Sequence, residues 1–321
     1  MKNDQKKIFD QSMQLDAPDP EQLALDARRL STYSVGALRV ATEADRAFVL
    51  FPDAVRALKA LDRLFQLGTE FSMPQGMRLI GPSGVGKTDS FKYFRASLPQ
   101  SALFSQDFAA IGVRVQSRPK TGHLVQGILK ALKYPFFGGS GKQLYMRRFL
   151  LFDALRNCKT RLIWIDEAHH LLYPRRVSAS SDLENDATEF LRELMDECNI
   201  SLVLAGTSEL DTLPDAASHL ASRVPSREEM KNFTSDGNWV GFVRAFAKQC
   251  QSFDLRYVHA PEVAMLLHMA TDGNLRAFKR LMTEAILIAF DRGYSAVDKE
   301  VFCSAFEQVC GQATLRSNPF V

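Results

Sequence analysis

Residues 81–88 read GPSGVGKT, and this glycine-rich segment constrains the fold more than any other part of the sequence. It follows a short apolar run at 76–81, and it precedes a stretch at 87–97 with the apolar spacing of a helix. A strand, a loop of the form GxxxxGK[ST] and a helix in that order bind nucleotide phosphates, because the glycines let backbone N–H groups surround the phosphate oxygens. The predicted nucleotide ligands are Gly81, Pro82, Ser83, Gly84, Val85, Gly86, Lys87 and Thr88.

Side chains from two motifs indicate what such a loop does with ATP. Lys87 can reach the β- and γ-phosphates, and the Thr88 hydroxyl can ligate Mg²⁺. The second motif is LIWIDE at 162–167, an apolar strand that ends in two acids. We expect Asp166 to hold Mg²⁺ through water and Glu167 to orient and activate the attacking water. The alternative is an acid pair that merely ends a strand.

Further along the chain, three positions are candidates for contacts with the nucleotide. The strand ISLVLAG at 200–206 is followed by Thr207 and Ser208, whose hydroxyls can contact the γ-phosphate or the attacking water. Arg223 can act on a neighbouring subunit's nucleotide as an arginine finger, with a surface salt bridge as the alternative. Arg276 lies in the first turn of a predicted helix, capped by Asp272 or Asn274, and is expected to point back at a bound phosphate.

The alternation of apolar strands and helices predicts an α/β fold with a parallel sheet covered on both faces. The predicted strands are 76–81, 110–115, 161–166 and 200–206, and the predicted helices are 53–67, 87–97, 121–132, 141–157 and 186–198. From Trp239 onward only helices are predicted, at 239–253, 260–270, 275–292 and 297–309. The expected organisation is a flexible N-terminal arm 1–22, an α/β core 23–230, a small all-helical lid domain 231–310 and a C-terminal tail 311–321.

Composition excludes several other classes of protein. The 321 residues carry a net charge of +3, and 46% of them are hydrophobic, which is typical of a globular protein rather than a disordered or fibrous one. No apolar run is long enough for a membrane span, and the N-terminus lacks the apolar stretch of a signal peptide. We therefore expect no membrane association and a bacterial cytoplasmic location. The weak net charge does not by itself indicate nucleic-acid binding.

Cysteine and histidine usage gives no support for a structural metal. The five cysteines are an odd number without a CxxC pair, which disfavours both a zinc site and a disulfide framework. His169 and His170 follow the acidic motif, but no other His or Cys stands at ligand spacing. Packing, or contact with a catalytic residue, is the favoured role for the two histidines.

Taken together, these motifs resemble those of an AAA+ ATPase, and more narrowly those of the TniB/TnsC-type regulators of DNA transposition. The narrower resemblance covers about two thirds of the chain. It rests on GPSGVGKT (81–88), RPKTGHLVQGILKAL (118–132), LIWIDEAHHLL (162–172), FLRELMDECNISLVLAGTSEL (190–210) and GNLRAFKRLMTEAILIAFDRG (273–293). One departure concerns the arginine finger: the segment reads ASRVPSREEM in place of an Arg-Phe pair, so Arg227 is an alternative to Arg223.

The resemblance implies a DNA-binding role for the loop after the second strand, which faces the central pore in AAA+ rings. In this sequence the loop is basic and lacks an aromatic residue. Arg118 and Lys120 suit phosphate oxygens, and Thr121 can donate from a helix N-terminus. We expect contacts to the backbone of double-stranded DNA with little sequence preference. A solvated basic loop is the alternative.

By the same resemblance, the expected function is an ATP-dependent regulator of DNA transposition. It would form a homo-oligomer, either a ring or a helical filament, on duplex DNA, mark the target site and recruit a transposase. A TniQ-like targeting protein is the other implied partner. The alternatives are a replication-initiator or helicase-loader ATPase, a protein-remodelling AAA+ chaperone and a monomeric P-loop kinase.

Overall fold

A computed structural model of the chain describes most of its length. The described residues are 33–70, 74–98, 108–134, 144–172, 187–310 and 317–321, together with Glu21 and Ala24. Most of the predicted arm 1–22, and residues 311–316 of the predicted tail, lie outside this range.

The central element is a five-stranded sheet in which every strand pairs in parallel with its neighbour. Its strands are β1 (Gly76–Ile80), β2 (Ala110–Arg114), β3 (Leu162–Asp166), β4 (Ser201–Gly206) and β5 (Ser226–Glu229). The spatial order is β2-β3-β4-β1-β5, so the nucleotide-loop strand β1 lies between β4 and β5. The predicted parallel sheet is confirmed. Its central strands are apolar because both faces are buried, and every residue of β4 is buried.

The fifth strand was missed at the sequence level. Residues 226–238 are polar and rich in turn-forming residues, which predicts a domain boundary rather than a strand, but Ser226–Glu229 pairs with β1 in the register Met77↔Ser226. The sequence SREE gives no apolar signal, because β5 is an edge strand whose side chains are only partly buried.

Helices precede, connect and follow the strands. They are α1 (Val35–Arg46), α2 (Pro52–Glu70), α3 (Lys87–Ser97), α4 (Thr121–Ala131), α5 (Leu144–Asn157), α6 (Ala187–Cys198), the short α7 (Leu213–Ala216) and α8 (Ser218–Ala221), α9 (Gly237–Gln249), α10 (Pro261–Thr271), α11 (Leu275–Asp291) and α12 (Lys299–Val309). Short 3-10 turns follow β3 at Ala168–Leu172 and β4 at Ser208–Thr212. The predicted helices are confirmed to within a few residues, whereas α1 and the short helices α7 and α8 are not predicted from the sequence.

The chain divides into two compact units that do not follow chain order. One consists of Phe48–Phe242 and Leu267–Phe278, and it contains the whole sheet. The other consists of Met1–Ala47, Val243–Leu266 and Lys279–Val321. The domain bounds 23–230 and 231–310 expected from the sequence remain a prediction.

The second of these units, which contains α12, has its own apolar packing. Phe320 packs against Phe302 and Phe306 of α12. It is 2% exposed, and its ring centroid lies 5.3 Å from that of Phe302. Asn318 donates to the Cys303 carbonyl at 3.2 Å. The last five residues, which belong to the predicted tail, are therefore held on α12. None of the helices among the described residues is long and apolar enough to cross a membrane.

Candidate nucleotide-binding site

The loop between β1 and α3 has the backbone geometry that its glycines predict. Gly84 and Gly86 have φ values of 86° and 95°, in the left-handed region that side chains rarely tolerate. Gly86 is the N-cap of α3, so the first N–H groups of that helix lie at the end of the loop. A Cβ on Gly81 would overlap the carbonyl oxygen of Met230, which follows β5. The loop conformation therefore requires glycine at these positions.

Lys87 lies over this loop. Its Nζ donates to the carbonyl oxygens of Gly81 at 2.6 Å and Pro82 at 2.9 Å. Burial lowers the pKa of Lys87, and the carboxylates of Glu167 and Asp166 oppose that shift. The ammonium group is thus held among loop carbonyls with two acids close enough to influence it.

The two predicted magnesium ligands are brought together. The Thr88 hydroxyl at the start of α3 donates to Asp166 Oδ2 at the end of β3, at 2.9 Å. A hydroxyl and a carboxylate oxygen match the preference of Mg²⁺ for oxygen ligands, so this pair fits the ion. The part of the chain that the structure describes contains no cluster of three or more His, Cys, Asp or Glu side chains arranged as metal ligands.

Glu167 follows β3 directly and has an unusual backbone. Its φ is 55°, a left-handed conformation uncommon for a side chain other than glycine. Its N–H donates to Asp166 Oδ1 at 3.1 Å. One carboxylate oxygen lies 3.6 Å from Arg114 Nη2, and the other lies 3.6 Å from His169 Nδ1. The predicted catalytic carboxylate therefore lies between the guanidinium group of Arg114 and the imidazole ring of His169.

Sequence reasoning missed Arg114 as a neighbour of this acid. Arg114 ends β2 and is in register with Asp166 on the adjacent strand β3. An arginine at the last position of a predicted strand was the available signal. It could be used only once β2 and β3 were known to be neighbours.

Thr207 lies just beyond β4, and β4 pairs with β3, the strand that ends in Asp166. The expected contact of Thr207 with the γ-phosphate requires these two strands to be neighbours. The Thr207 Oγ1 is buried and has no hydrogen-bond partner among the described residues. A buried hydroxyl in that state is available to a ligand. Ser208, the alternative, is exposed at the first position of the following 3-10 turn.

The start of α11 lies directly against the phosphate-binding loop, within the same compact unit. Arg276 Nη1 donates to Ser83 Oγ at 3.0 Å, and the Arg276 N–H donates to the Gly84 carbonyl at 3.0 Å. The sequence predicts that Arg276 points back at a bound phosphate. In the structure its side chain lies beside the loop that would bind that phosphate.

Asn274 has a second role that the sequence did not reveal. Its Oδ1 accepts from the Ala277 N–H at 3.3 Å, which caps α11 as one of the two predicted alternatives. Its Nδ2 also donates to the Ser83 carbonyl at 2.9 Å and to Asn232 Oδ1 at 3.1 Å. Asn274 therefore attaches the helix start to the loop, a function that its asparagine side chain alone could not indicate.

Both finger candidates are ion-paired within the chain. Arg223 contacts Asp196 through Nε at 2.9 Å and Nη2 at 3.2 Å. Arg227 contacts Asp211 at 2.8 Å and Glu229 at 3.1 Å, and these hydrogen bonds raise its pKa. The salt-bridge alternative is thus observed for Arg223, and Arg227 is ion-paired as well. A finger at either position would have to exchange these partners for a neighbour's nucleotide.

The predicted DNA-binding loop follows β2 at the sheet edge opposite β5. Arg118 and Lys120 are exposed, and Arg118 has a left-handed φ of 54°. Thr121 begins α4 but is fully buried, and its hydroxyl has no partner among the described residues. What Thr121 can offer to a surface ligand is therefore its backbone N–H rather than its side chain.

A parallel sheet in the order 2-3-4-1-5, with a phosphate-binding loop after β1, acids after β3 and a hydroxyl after β4, defines the AAA+ ATPase fold. Solved structures share it. The Aeropyrum pernix ORC2 protein in its ADPNP and ADP complexes matches with a TM-score of 0.61 and 15% identity, over 81% of this chain and 68% of that chain. The Aeropyrum pernix ORC1 protein in complex with DNA matches with a TM-score of 0.58 and 19% identity, over 82% and 67%. Drosophila ORC bound to DNA matches with a TM-score of 0.56 and 13% identity, over 87% and 66%.

The sequence assigns the family. Residues 39–232 match the family described as bacterial TniB protein, and the chain belongs to that family. No curated protein sequence matches it. The resemblance to an AAA+ ATPase of the TniB type is confirmed, as is the fold class of an AAA+ core with a helical C-terminal part.

Proposed function

We propose that this protein is an ATP-dependent regulator of DNA transposition that oligomerises on duplex DNA, marks the target site and recruits a transposase. The observation that carries the proposal is the closed arrangement around the phosphate-binding loop, where Asp166 and Arg276 each contact a residue of the loop. A ligand in that loop can therefore bias both the sheet end and α11. Membership of the TniB family supports the link to transposition.

In the proposed reaction, each residue of the site has one task. The loop N–H groups and Lys87 bind the phosphates of ATP. Thr88 and, through water, Asp166 would hold Mg²⁺, which would neutralise phosphate charge. Glu167 orients the attacking water and accepts its proton. Thr207 and Arg276 contact the γ-phosphate from the end of β4 and from α11.

An arginine from a neighbouring subunit would complete the site. Arg223 and Arg227 are tested by mixing subunits. An Arg223→Ala subunit keeps its own site, and a Glu167→Gln subunit keeps its arginine, so mixing two slow variants should restore hydrolysis if Arg223 acts on the neighbour. The same mixture with Arg227→Ala tests the alternative. If neither mixture gains activity, a finger at either position is ruled out.

The DNA component of the proposal rests on the exposed basic side chains after β2. Arg118 and Lys120 carry charges suited to phosphate oxygens, and the backbone N–H at the start of α4 adds a neutral donor. Two proteins of similar fold were solved with DNA, ORC1 of Aeropyrum pernix and ORC of Drosophila. Phosphate contacts carry no sequence information, so the proposed binding has little base preference.

Binding to a fluorescent duplex of arbitrary sequence tests the proposal. It is measured with ATP, a non-hydrolysable analogue, ADP or no nucleotide, and the same mixtures are imaged by electron microscopy. We expect binding and ordered oligomers only with ATP or the analogue. Absence of DNA binding in every state would contradict the proposal, and stimulation of hydrolysis by a polypeptide would then favour protein remodelling.

A second candidate is a replication-initiator or helicase-loader ATPase, which the similarity to ORC structures favours. It shares the ATP and DNA chemistry and differs in its partner. Co-purification with a transposase or a TniQ-like protein supports the first function, whereas ATP-dependent loading of a replicative helicase supports the second.

A further inference from the structure

His169 lies immediately behind the predicted catalytic acid and has no role in the mechanism above. It is the second residue of the 3-10 turn that follows β3, and only 8% of its surface is exposed. A buried histidine two residues beyond Glu167 needs a physical reason, because burying an imidazole removes it from water.

The ring is held in place by β4, the strand next to β3. A Cβ added to Gly206 would lie 3.1 Å from both the backbone nitrogen and Nδ1 of His169. The histidine is thus packed directly against a strand position that has no side chain. This close packing leaves little free space between the ring and β4.

Within this packing, Nδ1 faces the catalytic acid. It is buried, has no hydrogen-bond partner among the described residues, and lies 3.6 Å from Glu167 Oε2. Buried polar atoms are nearly always hydrogen-bonded in folded proteins, so an unpaired one calls for an explanation. Contacts between catalytic groups are often long before the substrate binds and shorten in the reacting complex.

The surroundings favour a neutral ring. Burial lowers the pKa of His169, and so do the neighbouring His170 and Lys87, whereas Glu167 and Glu209 oppose the shift. A neutral imidazole carries one N–H, and the acceptor beside Nδ1 is the carboxylate. The tautomer protonated at Nδ1 is therefore the one that this environment stabilises.

We propose that His169 is a positioning residue for Glu167: its Nδ1–H donates to Glu167 Oε2 and fixes the carboxylate in the orientation required to activate water. The inference rests on the proposed ATPase function, in which Glu167 is the general base. It assigns His169 no contact with the nucleotide.

The other neighbour of this carboxylate is poorly suited to the same task. Arg114 lies 3.6 Å from Oε1, but 77% of its side chain is exposed. An exposed guanidinium is screened by water and free to move, so it provides charge rather than a fixed direction. The buried ring is the partner that can set the angle of the carboxylate.

A pair of substitutions separates positioning from packing. His169→Asn places an amide where Nδ1 lies, and His169→Leu fills similar space without a polar atom. We expect His169→Leu to lower kcat by about 10- to 100-fold, the range for losing a group that orients a catalytic ligand. The Kd for a fluorescent ATP analogue should stay within about threefold. His169→Asn should recover most of the lost kcat.

The matched control is His170→Asn, the same substitution at the adjacent ring, with kcat expected within about twofold of the original protein. Thermal unfolding of all variants shows whether each is folded. An unchanged kcat in His169→Leu, or equal losses in the Leu and Asn variants, would overturn the proposal. An original protein that binds but never hydrolyses ATP would instead overturn the ATPase function on which it rests.

A second readout does not depend on hydrolysis. ¹⁵N NMR of histidine-labelled protein without nucleotide should show His169 as a neutral ring protonated at Nδ1. That resonance should shift in Glu167→Ala more than the His170 resonance does. A ring protonated only at Nε2 would exclude the hydrogen bond and with it the proposed role.

Discussion

The phosphate-binding loop and the basic loop after β2 differ in how much of their geometry one subunit determines. The first is contacted from several elements of the same chain: Thr88 meets Asp166, and Ser83 meets both Asn274 and Arg276. The second exposes Arg118 and Lys120 at the opposite side of the sheet from β5. A site organised by its own chain can be inferred from one subunit, whereas a surface loop acquires a function only against a partner.

This contrast predicts that substitutions in the two loops impair different activities. Changes around the phosphate-binding loop should affect a single subunit's ATP chemistry. Changes in the basic loop should leave that chemistry intact and appear only when DNA is present. The predictions below follow in order of decreasing effect.

Glu167→Gln is expected to have the largest effect. It removes the proposed general base but keeps the size of the side chain, so hydrolysis should fall by about 10²- to 10⁴-fold while ATP binding persists. Steady-state phosphate release and binding of a fluorescent ATP analogue measure the two quantities. We also expect ATP-dependent oligomers to be trapped on DNA. Normal turnover would exclude Glu167 as the catalytic carboxylate.

Lys87→Ala should abolish nucleotide-dependent assembly. The ammonium that lies over the loop is lost, and a charge-assisted contact of this kind is worth about 10²-fold in affinity. Isothermal titration with a non-hydrolysable analogue, followed by electron microscopy, checks both steps. ATP-driven assembly at the original nucleotide concentration would contradict the role of the loop lysine.

Arg276→Ala should weaken nucleotide binding by about tenfold, since it removes one charged donor beside the loop. Arg280→Ala is the matched control, because it removes an exposed arginine one turn further along α11. The same titration measures both variants. Equal affinities in the two would show that α11 does not contribute a phosphate contact.

Replacing Arg118 and Lys120 together with alanine should weaken duplex binding by about tenfold. The slope of log affinity against log salt concentration should decrease by the equivalent of about two phosphate contacts per subunit. ATP binding should not change. Lys59 and Lys130, both exposed, provide a control that removes the same two charges elsewhere. Anisotropy titrations at several salt concentrations measure the slope. The assignment of the basic loop fails if the two double variants behave alike.

The smallest effect is expected for Arg223→Ala on folding. Its ion pair with Asp196 is partly exposed, with 34% and 28% of the two side chains accessible. Such pairs contribute less than about 1 kcal/mol. Urea unfolding should therefore show little change in the free energy of unfolding, even if hydrolysis by the oligomer is lost. A much larger destabilisation would make Arg223 a structural residue.

Sequence reasoning succeeded where the determining signal is local. The apolar runs ending in Gly81 and Asp166 predicted strands β1 and β3, and the glycine-rich motif predicted a loop between β1 and the following helix. Parallel strands bring their carboxyl ends to one edge, so the approach of Thr88 to Asp166 followed from the two motifs.

Contacts between residues far apart in sequence could not be inferred in the same way. The Arg114 contact with Glu167 depends on β2 lying beside β3, and the Arg223 pair with Asp196 depends on how α6 packs. The polar strand β5 has no apolar pattern because it lies at an edge. In each case the missing information is the arrangement of elements, which local periodicity does not contain.

The central claim is that nucleotide binding and DNA binding are coupled in this protein, and reciprocity tests it most directly. Coupling free energy is the same in both directions, so a nucleotide that tightens DNA binding must itself bind more tightly when DNA is present. The measurement is the Kd of a fluorescent non-hydrolysable ATP analogue with and without a saturating duplex of arbitrary sequence. We expect the duplex to lower that Kd by about tenfold, and to have no effect in the Arg118 and Lys120 double variant. The same Kd with and without duplex in the unaltered protein would contradict the account.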